Sequence, residues 1–193
     1  MPSPARKPHL LSPAEYLVFD ASAELKHEYV DGEIHAMTGT TVKHNRISGN
    51  LFVALKQHLA GRPCETFIAD LKVHAAAANA FYYPDLVVRC QPQPLAAEQR
   101  VIDDPTLIVE VLSPSTEAID RREKLAAYRR IPSLQEYVLV AQDERSVEIY
   151  RREGDIGWRY LPFTDDDCAE FASLGLQLPL ATGMGAVLMA MAI

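Results

Sequence analysis

The stretch "TLIVEVLSPST", Thr106–Thr116, decides how the centre of this chain folds, because its first half is a nearly continuous apolar run. Such a run, with its β-branched residues, predicts a strand over 106–112 that is buried on at least one face. Glu110 interrupts the run, and an unpaired carboxylate costs several kcal/mol when it is desolvated. Glu110 therefore either faces solvent from the polar side of a half-buried strand or has a partner that compensates its charge.

Length and composition limit the class of protein. A chain of 193 residues with 48% hydrophobic content can build one sizeable core. We predict a disordered arm over residues 1–11 and a single domain over residues 12–193. The N-terminal segment carries prolines and basic residues but lacks the apolar stretch of a secretory signal, so we expect a cytoplasmic protein.

Charge and hydropathy exclude further classes. A formal net charge of -7 argues against a protein that coats nucleic acid through bulk charge, but it permits an acidic metal site with a local basic rim. The apolar C-terminal segment "AVLMAMAI" is far shorter than the ~20 residues of a membrane span. We expect this segment to pack on the body of the protein or on a second subunit, and we expect no membrane partner.

The cysteine and histidine spacings predict neither a disulfide framework nor a zinc site. Cys64, Cys90 and Cys168 lie far apart without a CxxC pair, and we expect them to be reduced. The histidines show no HxxxH or HExxH spacing. Glycine-rich phosphate loops and the GxSxG nucleophile motif are also absent from the sequence, which leaves acidic residues as the candidate chemical groups.

Periodicity and turn signals predict a mixed α/β architecture. The predicted helices run from the capping box at Ser12–Glu15 to about Phe19, over Val42–Leu59, and from the "SPST" segment to Arg130. The predicted strands are 27–30 and 33–38 around the Asp31-Gly32 turn, then "CETFIAD", "LKVHAA", "FYYPDLVVRC" as one strand, 106–112, "EYVLVA", "SVEIYRR" and "WRYLPF".

A second acidic residue, Asp85, follows Pro84 at the edge of the apolar run "LVV". Two carboxylates that point into one pocket repel each other unless a cation lies between them or one is protonated. Mg²⁺ is bound in proteins by one or two carboxylates together with waters and substrate phosphate. A metal site with Asp85 and Glu110 as ligands is therefore the simplest explanation of the pair, and exposure of both acids to solvent is the alternative.

The helix after "SPST" carries a candidate lysine. Asp120, Lys124 and Tyr128 recur every four residues and share one helix face. The pattern describes either a surface ion pair or a lysine that projects toward the metal, where its ammonium would stabilise charge in the transition state. Arg121 belongs to a local group of arginines on this helix, and such a group suits contact with a phosphate backbone.

The order of these motifs resembles the Uma-two family within the PD-(D/E)xK, or restriction-endonuclease-like, nucleases. The resemblance rests on "YVDGEI", His44, "YPDLVV", "LIVEVLSPST", "DRREK" with "AAY", and "EYVLV", and it spans nearly the whole chain. It implies a central mixed sheet flanked by helices, with the early hairpin as an addition. In the general motif a lysine lies two residues after the acid. Leu112 occupies that position here, and Lys124 on the following helix is the matching residue.

The resemblance also implies a function, namely hydrolysis of phosphodiester bonds in nucleic acid with Mg²⁺ or Mn²⁺. Asp85, Glu110 and the Val111 carbonyl would be metal ligands, and Glu28 matches an early glutamate that can reach the metal. Glu28 as an exposed strand residue is the alternative. We expect DNA rather than RNA as substrate and a homodimer as the assembly. The rival hypothesis is a nuclease-like module that binds nucleic acid or a protein partner and does not cut.

Three further residues are candidates for contact with substrate: His44, Arg121 and Tyr128. His44 lies at the start of the second predicted helix, where it could touch a phosphate or bond a group of the helix start. Arg121 and Tyr128 lie on the helix that carries Lys124.

Overall fold

The computed structural model describes residues 10–180, which form a mixed α/β fold with three helices and three sheets among them. Helix α1 spans Pro13–Ser22 and α2 spans Val42–His58. Helix α3 has three segments, Glu117–Ile119, a π-helical part at Asp120–Lys124 and Leu125–Tyr128. The strands are β1 His27–Val30, β2 Glu33–Ala36, β3 Cys64–Ile68, β4 Lys72–Ala75, β5 Ala80–Tyr82, β6 Leu86–Cys90, β7 Val101–Ile102, β8 Leu107–Val111, β9 Glu136–Val140, β10 Ser146–Glu153, β11 Gly157–Thr164, β12 Cys168–Phe171 and β13 Leu176–Pro179.

The central sheet has six strands in the order β11-β10-β9-β8-β6-β3, and only its β8–β9 pair is parallel among these residues. Every residue of β8 is buried. Leu107, Val109 and Val111 pack with α2 on one face, and Ile108 packs with α3 on the other. Because side chains alternate along a strand, Glu110 points to the α3 face. The predicted mixed sheet flanked by helices is confirmed.

Helix α2 lies on the other face of the sheet, as its periodicity predicts. The stripe Ile47, Leu51, Leu55 and Leu59 is at most 3% exposed. The cap of α2 comes from the Thr41 side chain, which accepts a hydrogen bond from the His44 backbone N–H. The start of α2 lies beside the end of β8, where the His44 ring contacts Asp85 and Asp85 accepts the Val111 N–H.

The predicted N-terminal hairpin is confirmed, and it belongs to a second sheet of order β2-β1-β5-β4-β7. Asp31 and Gly32 have φ angles of 48° and 99°, the left-handed conformation that this tight turn requires. Of the predicted arm over 1–11, only residues 10 and 11 are described. The Leu11 N–H donates to the Gly32 carbonyl at 2.9 Å, so this end of the predicted arm is attached to the folded domain.

The prediction of one strand over "FYYPDLVVRC" is wrong. The segment forms β5 in the second sheet and β6 in the central sheet, and Tyr83, Pro84 and Asp85 connect them. Pro84 has no N–H to donate to a strand ladder, which favours a break at this position. The break places Asp85 at the junction of the two sheets. Strands β7, β12 and β13 were not predicted either.

The expectation of three reduced cysteines is also wrong, because Cys64 and Cys90 form a disulfide. The two residues face each other in the register of β3 and β6, with their Cα atoms 4.0 Å apart. Sheet register brought them together, and their separation of 26 residues carries no local signal for it. Cys168 is a free, exposed thiol.

No helix within residues 10–180 is long and apolar enough to cross a membrane. The C-terminal segment "AVLMAMAI", predicted to pack on the body or on a second subunit, lies outside the described residues.

Candidate active site

Asp85 is held at the sheet junction by two hydrogen bonds. Its Oδ2 accepts the Val111 backbone N–H at 2.7 Å, which ties the end of β8 to the start of β6. The same oxygen lies 3.1 Å from the Nε2 of His44. The Asp85 side chain remains 21% exposed, so its carboxylate faces a cleft that opens to solvent.

Glu110 is 4% exposed and is not a solvent-facing strand residue. Its Oε1 accepts hydrogen bonds from the Lys124 Nζ and the Tyr128 hydroxyl, each at 3.1 Å. Both donors come from α3, as the four-residue spacing of the sequence requires. The alternative that Glu110 faces solvent is excluded, because its carboxyl group is buried and accepts both hydrogen bonds inside the protein.

Lys124 lies among three carboxylates rather than on a solvated helix face. Its Nζ lies 3.1 Å from Glu28 Oε1, 3.1 Å from Glu110 Oε1 and 3.3 Å from Asp120 Oδ1, and the residue is 5% exposed. Burial would lower the pKa of Lys124, but the nearby charges of Glu110, Glu28 and Asp120 outweigh burial and raise the pKa well above its usual value. Lys124 is therefore an ammonium at neutral pH.

Asp120 adds an acidic group that its surroundings do not fully satisfy. It is 1% exposed, and its Oδ1 is a buried atom without a hydrogen-bond partner, although the Lys124 ammonium lies close to it. Burial raises the pKa of Asp120, against the opposing effects of Lys124 and Thr116. Acidic groups in this site therefore exceed their cationic partners.

His44 contacts two of the predicted metal ligands. Besides the contact with Asp85, its ring hydrogen-bonds the Val111 backbone. Burial opposes a charge on the ring, but the hydrogen bond and charge of Asp85, aided by Val111, raise the pKa of His44. His44 is thus a partner of the acidic residues as well as a residue of the helix start.

Glu28 reaches the site from β1. Its Oε1 accepts the Tyr83 backbone N–H at 3.1 Å in addition to its contact with Lys124, so it is not an exposed strand residue. The Tyr83 hydroxyl in turn donates to Asp20 at 2.6 Å, and Asp20 pairs with Lys72 at 2.9 Å. This buried network holds Tyr83, whose backbone N–H donates to Glu28, in position.

A cleft of about 120 Å³ opens in front of these residues. Its walls come from the segment after β2, the sheet junction, the end of β8 and α3. The described residues that line it are Met37, Thr38, Gly39, Thr40, His44, Tyr83, Asp85, Glu110, Val111, Ser113, Ser115, Thr116 and Lys124.

Two residues predicted to contact substrate are placed elsewhere. Arg121 pairs with Glu117 at 2.7 Å and Glu148 at 2.6 Å, and it lines a neighbouring pocket instead of the cleft. Tyr128 is 0% exposed, so its hydroxyl positions Glu110 and has no access to a substrate. Arg121 lies on a different side of α3 from Lys124, whereas Tyr128 shares the side of Lys124 but packs in the core against Tyr82 and Tyr137.

The chemistry of the donors suits a hard divalent cation. Asp85, Glu110 and the Val111 carbonyl offer oxygen ligands at the cleft, which is the ligand type that Mg²⁺ and Mn²⁺ prefer. Within residues 10–180, no group of three or more His, Cys, Asp or Glu side chains is arranged to hold a metal ion. A site here would therefore combine two carboxylates with the backbone carbonyl, water and substrate.

Sequence reasoning missed the buried role of Asp120 and the cleft wall at Thr38–Thr40. The spacing of Asp120 and Lys124 did contain a signal for the buried role of Asp120. Residues four apart share a helix face, so a lysine that points to a buried strand brings this aspartate with it. Nothing local in "TGT" marks a cleft wall. That role depends on how β2 leads into α2.

A family model described as "Uma2: Putative restriction endonuclease" matches residues 13–181, which is most of the chain. The chain belongs to the Uma2 family. The predicted resemblance to this Uma-two family is therefore confirmed. Relatives of this chain include two proteins from Synechocystis sp. that are described only as uncharacterized proteins. Protein slr1290 is 40% identical over 166 residues, covering 86% of this chain and 87% of its own. Protein sll1609 is 37% identical over 150 residues, covering 77% and 85%.

A solved structure supports the fold of this Uma2 chain. It is described as a putative nuclease belonging to DUF820 from Anabaena variabilis. It superposes on this chain with a TM-score of 0.76 at 18% sequence identity. The match covers 92% of this chain and 99% of the solved chain. At that identity the comparison shows a shared mixed α/β fold.

Proposed function

We propose that this protein is a metal-dependent endonuclease that hydrolyses phosphodiester bonds, with DNA rather than RNA as its substrate. The observation that carries the proposal is the contact of Lys124 with Glu110 beside the same cleft as Asp85. The lysine reaches the acidic pair from α3, although it does not lie two residues after the acid. This contact supports Lys124 as the lysine of the motif.

Asp85 and Glu110, with the Val111 carbonyl, would hold Mg²⁺ or Mn²⁺. Such an ion supplies a water of lowered pKa and neutralises charge on phosphate. Four carboxylates, Glu28, Asp85, Glu110 and Asp120, lie around two basic groups, Lys124 and His44, in this site. This surplus of carboxylate oxygens over basic groups supports a bound cation.

The protein's own groups would orient the metal-binding carboxylates and stabilise negative charge on the phosphate. Because Lys124 is held as an ammonium, it serves as a hydrogen-bond donor to a charged phosphate oxygen and not as a general base at neutral pH. Tyr128 keeps the Glu110 carboxylate in one orientation, and the Val111 N–H does the same for Asp85. Glu28 and Asp120 hold the ammonium in place.

The test is nicking of supercoiled plasmid at low salt with Mg²⁺ or Mn²⁺. We expect wild type to nick, Glu110→Gln to lose activity by at least about 100-fold, and Lys124→Ala by about 10- to 1,000-fold. Glu98→Gln, at an exposed loop position, is the matched control and should cut like wild type. Equal activity of Glu110→Gln and wild type would refute the proposal.

A second candidate function is a module that binds without cutting. The contacts of His44 with Asp85 and Val111 favour it, because they engage two of the three groups proposed for the metal. Metal-dependent melting separates the two candidates. Any ion that binds the folded state alone raises the melting temperature. A Mg²⁺-dependent rise that Glu110→Gln abolishes supports the nuclease, and no rise with either ion supports the module.

The assembly and location form part of the same proposal. We propose a cytoplasmic homodimer, since two-fold symmetry serves cutting of both strands of a duplex. Sedimentation equilibrium tests the dimer. A monomer at micromolar concentration, with and without duplex, would contradict it.

A further inference from the structure

The cationic groups that the cleft offers are already engaged by acidic residues. Lys124 contacts Glu28, Glu110 and Asp120, and His44 contacts Asp85. Among the described residues that line the cleft, these two are the only basic ones. A nucleic acid, however, brings one negative charge for every phosphate, including those next to the bond that is cut.

Hydroxyl groups dominate the part of the cleft wall that carries no acid. One loop, the threonine loop Thr38–Thr40, connects β2 to the cap of α2, and its residues are exposed. The other, the serine loop Ser113–Thr116, connects β8 to α3. The loops supply the hydroxyls of Thr38, Thr40, Ser113, Ser115 and Thr116.

The serine loop hydroxyls are not used as the sequence suggests. Residues of this type before a helix normally cap it, yet no side-chain cap hydrogen bond is made at the start of α3. The Ser113 hydroxyl instead lies 3.0 Å from that of Ser115 and 2.9 Å from that of Thr116. Ser113 and Thr116 are half-buried at the cleft and Ser115 is exposed, so that the Ser115 hydroxyl can rotate toward a ligand.

We infer that the threonine loop and the serine loop bind the phosphate adjacent to the scissile one through hydroxyl groups rather than through cations. The inference rests on the proposed function and names its substrate contacts. A hydroxyl that donates to an anionic oxygen makes a charge-assisted hydrogen bond without a second charged side chain. Gly39, between the two threonines, is exposed at the cleft, and a Cβ built there would meet no atom within 4 Å.

The test uses the full chain and two hydroxyl deletions, Thr40→Val and Ser115→Ala. Thr164→Val, at an exposed position of edge strand β11, is the matched control. Binding of a short fluorescein-labelled DNA duplex is measured by anisotropy with Ca²⁺ in place of Mg²⁺, and plasmid nicking gives KM and kcat with Mg²⁺. Melting temperatures check that each variant is folded.

We expect each hydroxyl deletion to raise Kd and KM by about 5- to 20-fold and to leave kcat within about 2-fold, since the contact binds ground and transition states alike. The slope of log Kd against log salt should stay unchanged, because no cation is removed. The control should match wild type in every measurement.

Distinct outcomes separate this inference from the proposed function. If wild type binds and the two deletions weaken binding but nothing is cut, the nuclease proposal fails and the hydroxyl contacts stand. If wild type cuts and both deletions keep its Kd and KM, the inference is overturned while the nuclease proposal stands. Absence of duplex binding by wild type would overturn the inference as well.

Discussion

Lys124 shows at the scale of single residues how one buried charge depends on others. Its ammonium compensates Glu28, Glu110 and Asp120 together, so each partner is satisfied only while the lysine is present. A buried ion pair contributes little over apolar residues of the same size, but the loss of one partner leaves an uncompensated charge.

Lys124→Met should therefore destabilise the protein by about 3–5 kcal/mol. Adding Glu110→Gln should restore part of that loss, since it removes one of the unpaired carboxylates. Lys43→Met, which breaks the exposed pair with Asp143, is the control and should cost at most about 1 kcal/mol. Urea unfolding gives these free energies. An equal effect at Lys43 and Lys124 would contradict the role of burial.

Asp20 contributes to the pH dependence of the stability of the folded protein. Burial acts to raise its pKa, but hydrogen bonds from Tyr83, Lys72 and the His27 N–H outweigh burial and hold the pKa below its ordinary value. A carboxyl with a lowered pKa in the folded state stabilises the protein above its unfolded pKa of about 3.9, and this stabilisation is lost as pH falls through the folded pKa.

The destabilisation caused by Asp20→Asn should consequently be larger at neutral pH than near the folded pKa, below about pH 3.9. Asp70→Asn, at an exposed carboxylate paired with Lys26, is the control and should show a small effect at both pH values. Urea titrations at the two pH values measure the difference. A constant penalty across pH would show that Asp20 acts only through packing.

At the scale of elements, the connections of the fold build the site more than its strands do. The threonine loop, the sheet junction at Asp85 and the serine loop each follow the end of a strand, and together they form most of the cleft wall. Rigid strands hold these connections in place, which is the usual way in which loops carry function.

Gly39→Val should block the cleft without unfolding the protein. No atom lies within 4 Å of a Cβ built at Gly39, so the valine side chain would occupy cleft space instead of colliding with the fold. Duplex binding should fall by at least about 10-fold. The control is Gly49→Ala within α2, also in open space, which should stabilise the helix by about 0.5–1 kcal/mol and leave binding unchanged.

The disulfide between β3 and β6 leaves Cys168 as the one cysteine that can react with a thiol reagent. Under denaturing, non-reducing conditions we expect Ellman's reagent to detect only Cys168, and after reduction to detect Cys64 and Cys90 as well. Three thiols without reduction would show that the strands pair without the covalent bond.

At the scale of the whole molecule, net charge determines the nonspecific affinity for nucleic acid. The chain has a formal net charge of -7, and four of its carboxylates, Glu28, Asp85, Glu110 and Asp120, lie together in the site. Nonspecific attraction of the kind that basic proteins use is therefore weak here.

Under the proposed nuclease function, divalent cations should be needed for duplex binding as well as for cutting. At low salt, chelation with EDTA should weaken duplex affinity by at least about 10-fold relative to Ca²⁺, because the acidic groups would face phosphate without a counter-ion. Anisotropy with the labelled duplex measures this. Glu110→Gln should lower the dependence on the ion. Equal affinity with and without divalent ions would contradict a metal at Asp85 and Glu110.

The amino-acid sequence by itself determined the parts of this protein that depend on near neighbours. The Ser12–Glu15 capping box, the Asp31-Gly32 turn and the four-residue stripe of α2 each act within a few residues, and all three were found as predicted. The acid in an apolar strand and the lysine on the next helix were also visible, because strand and helix periodicities fix which faces they share.

The tertiary structure alone decided what depends on long-range pairing. Splitting of "FYYPDLVVRC" between two sheets, the Cys64–Cys90 disulfide and the contact of Lys124 with Glu28 each join parts of the chain that carry no mutual signal. Burial of α3 on the central sheet then withdrew Tyr128 from solvent and turned Arg121 away from the cleft. Local pattern fixes which face a side chain occupies, and packing decides what that face meets.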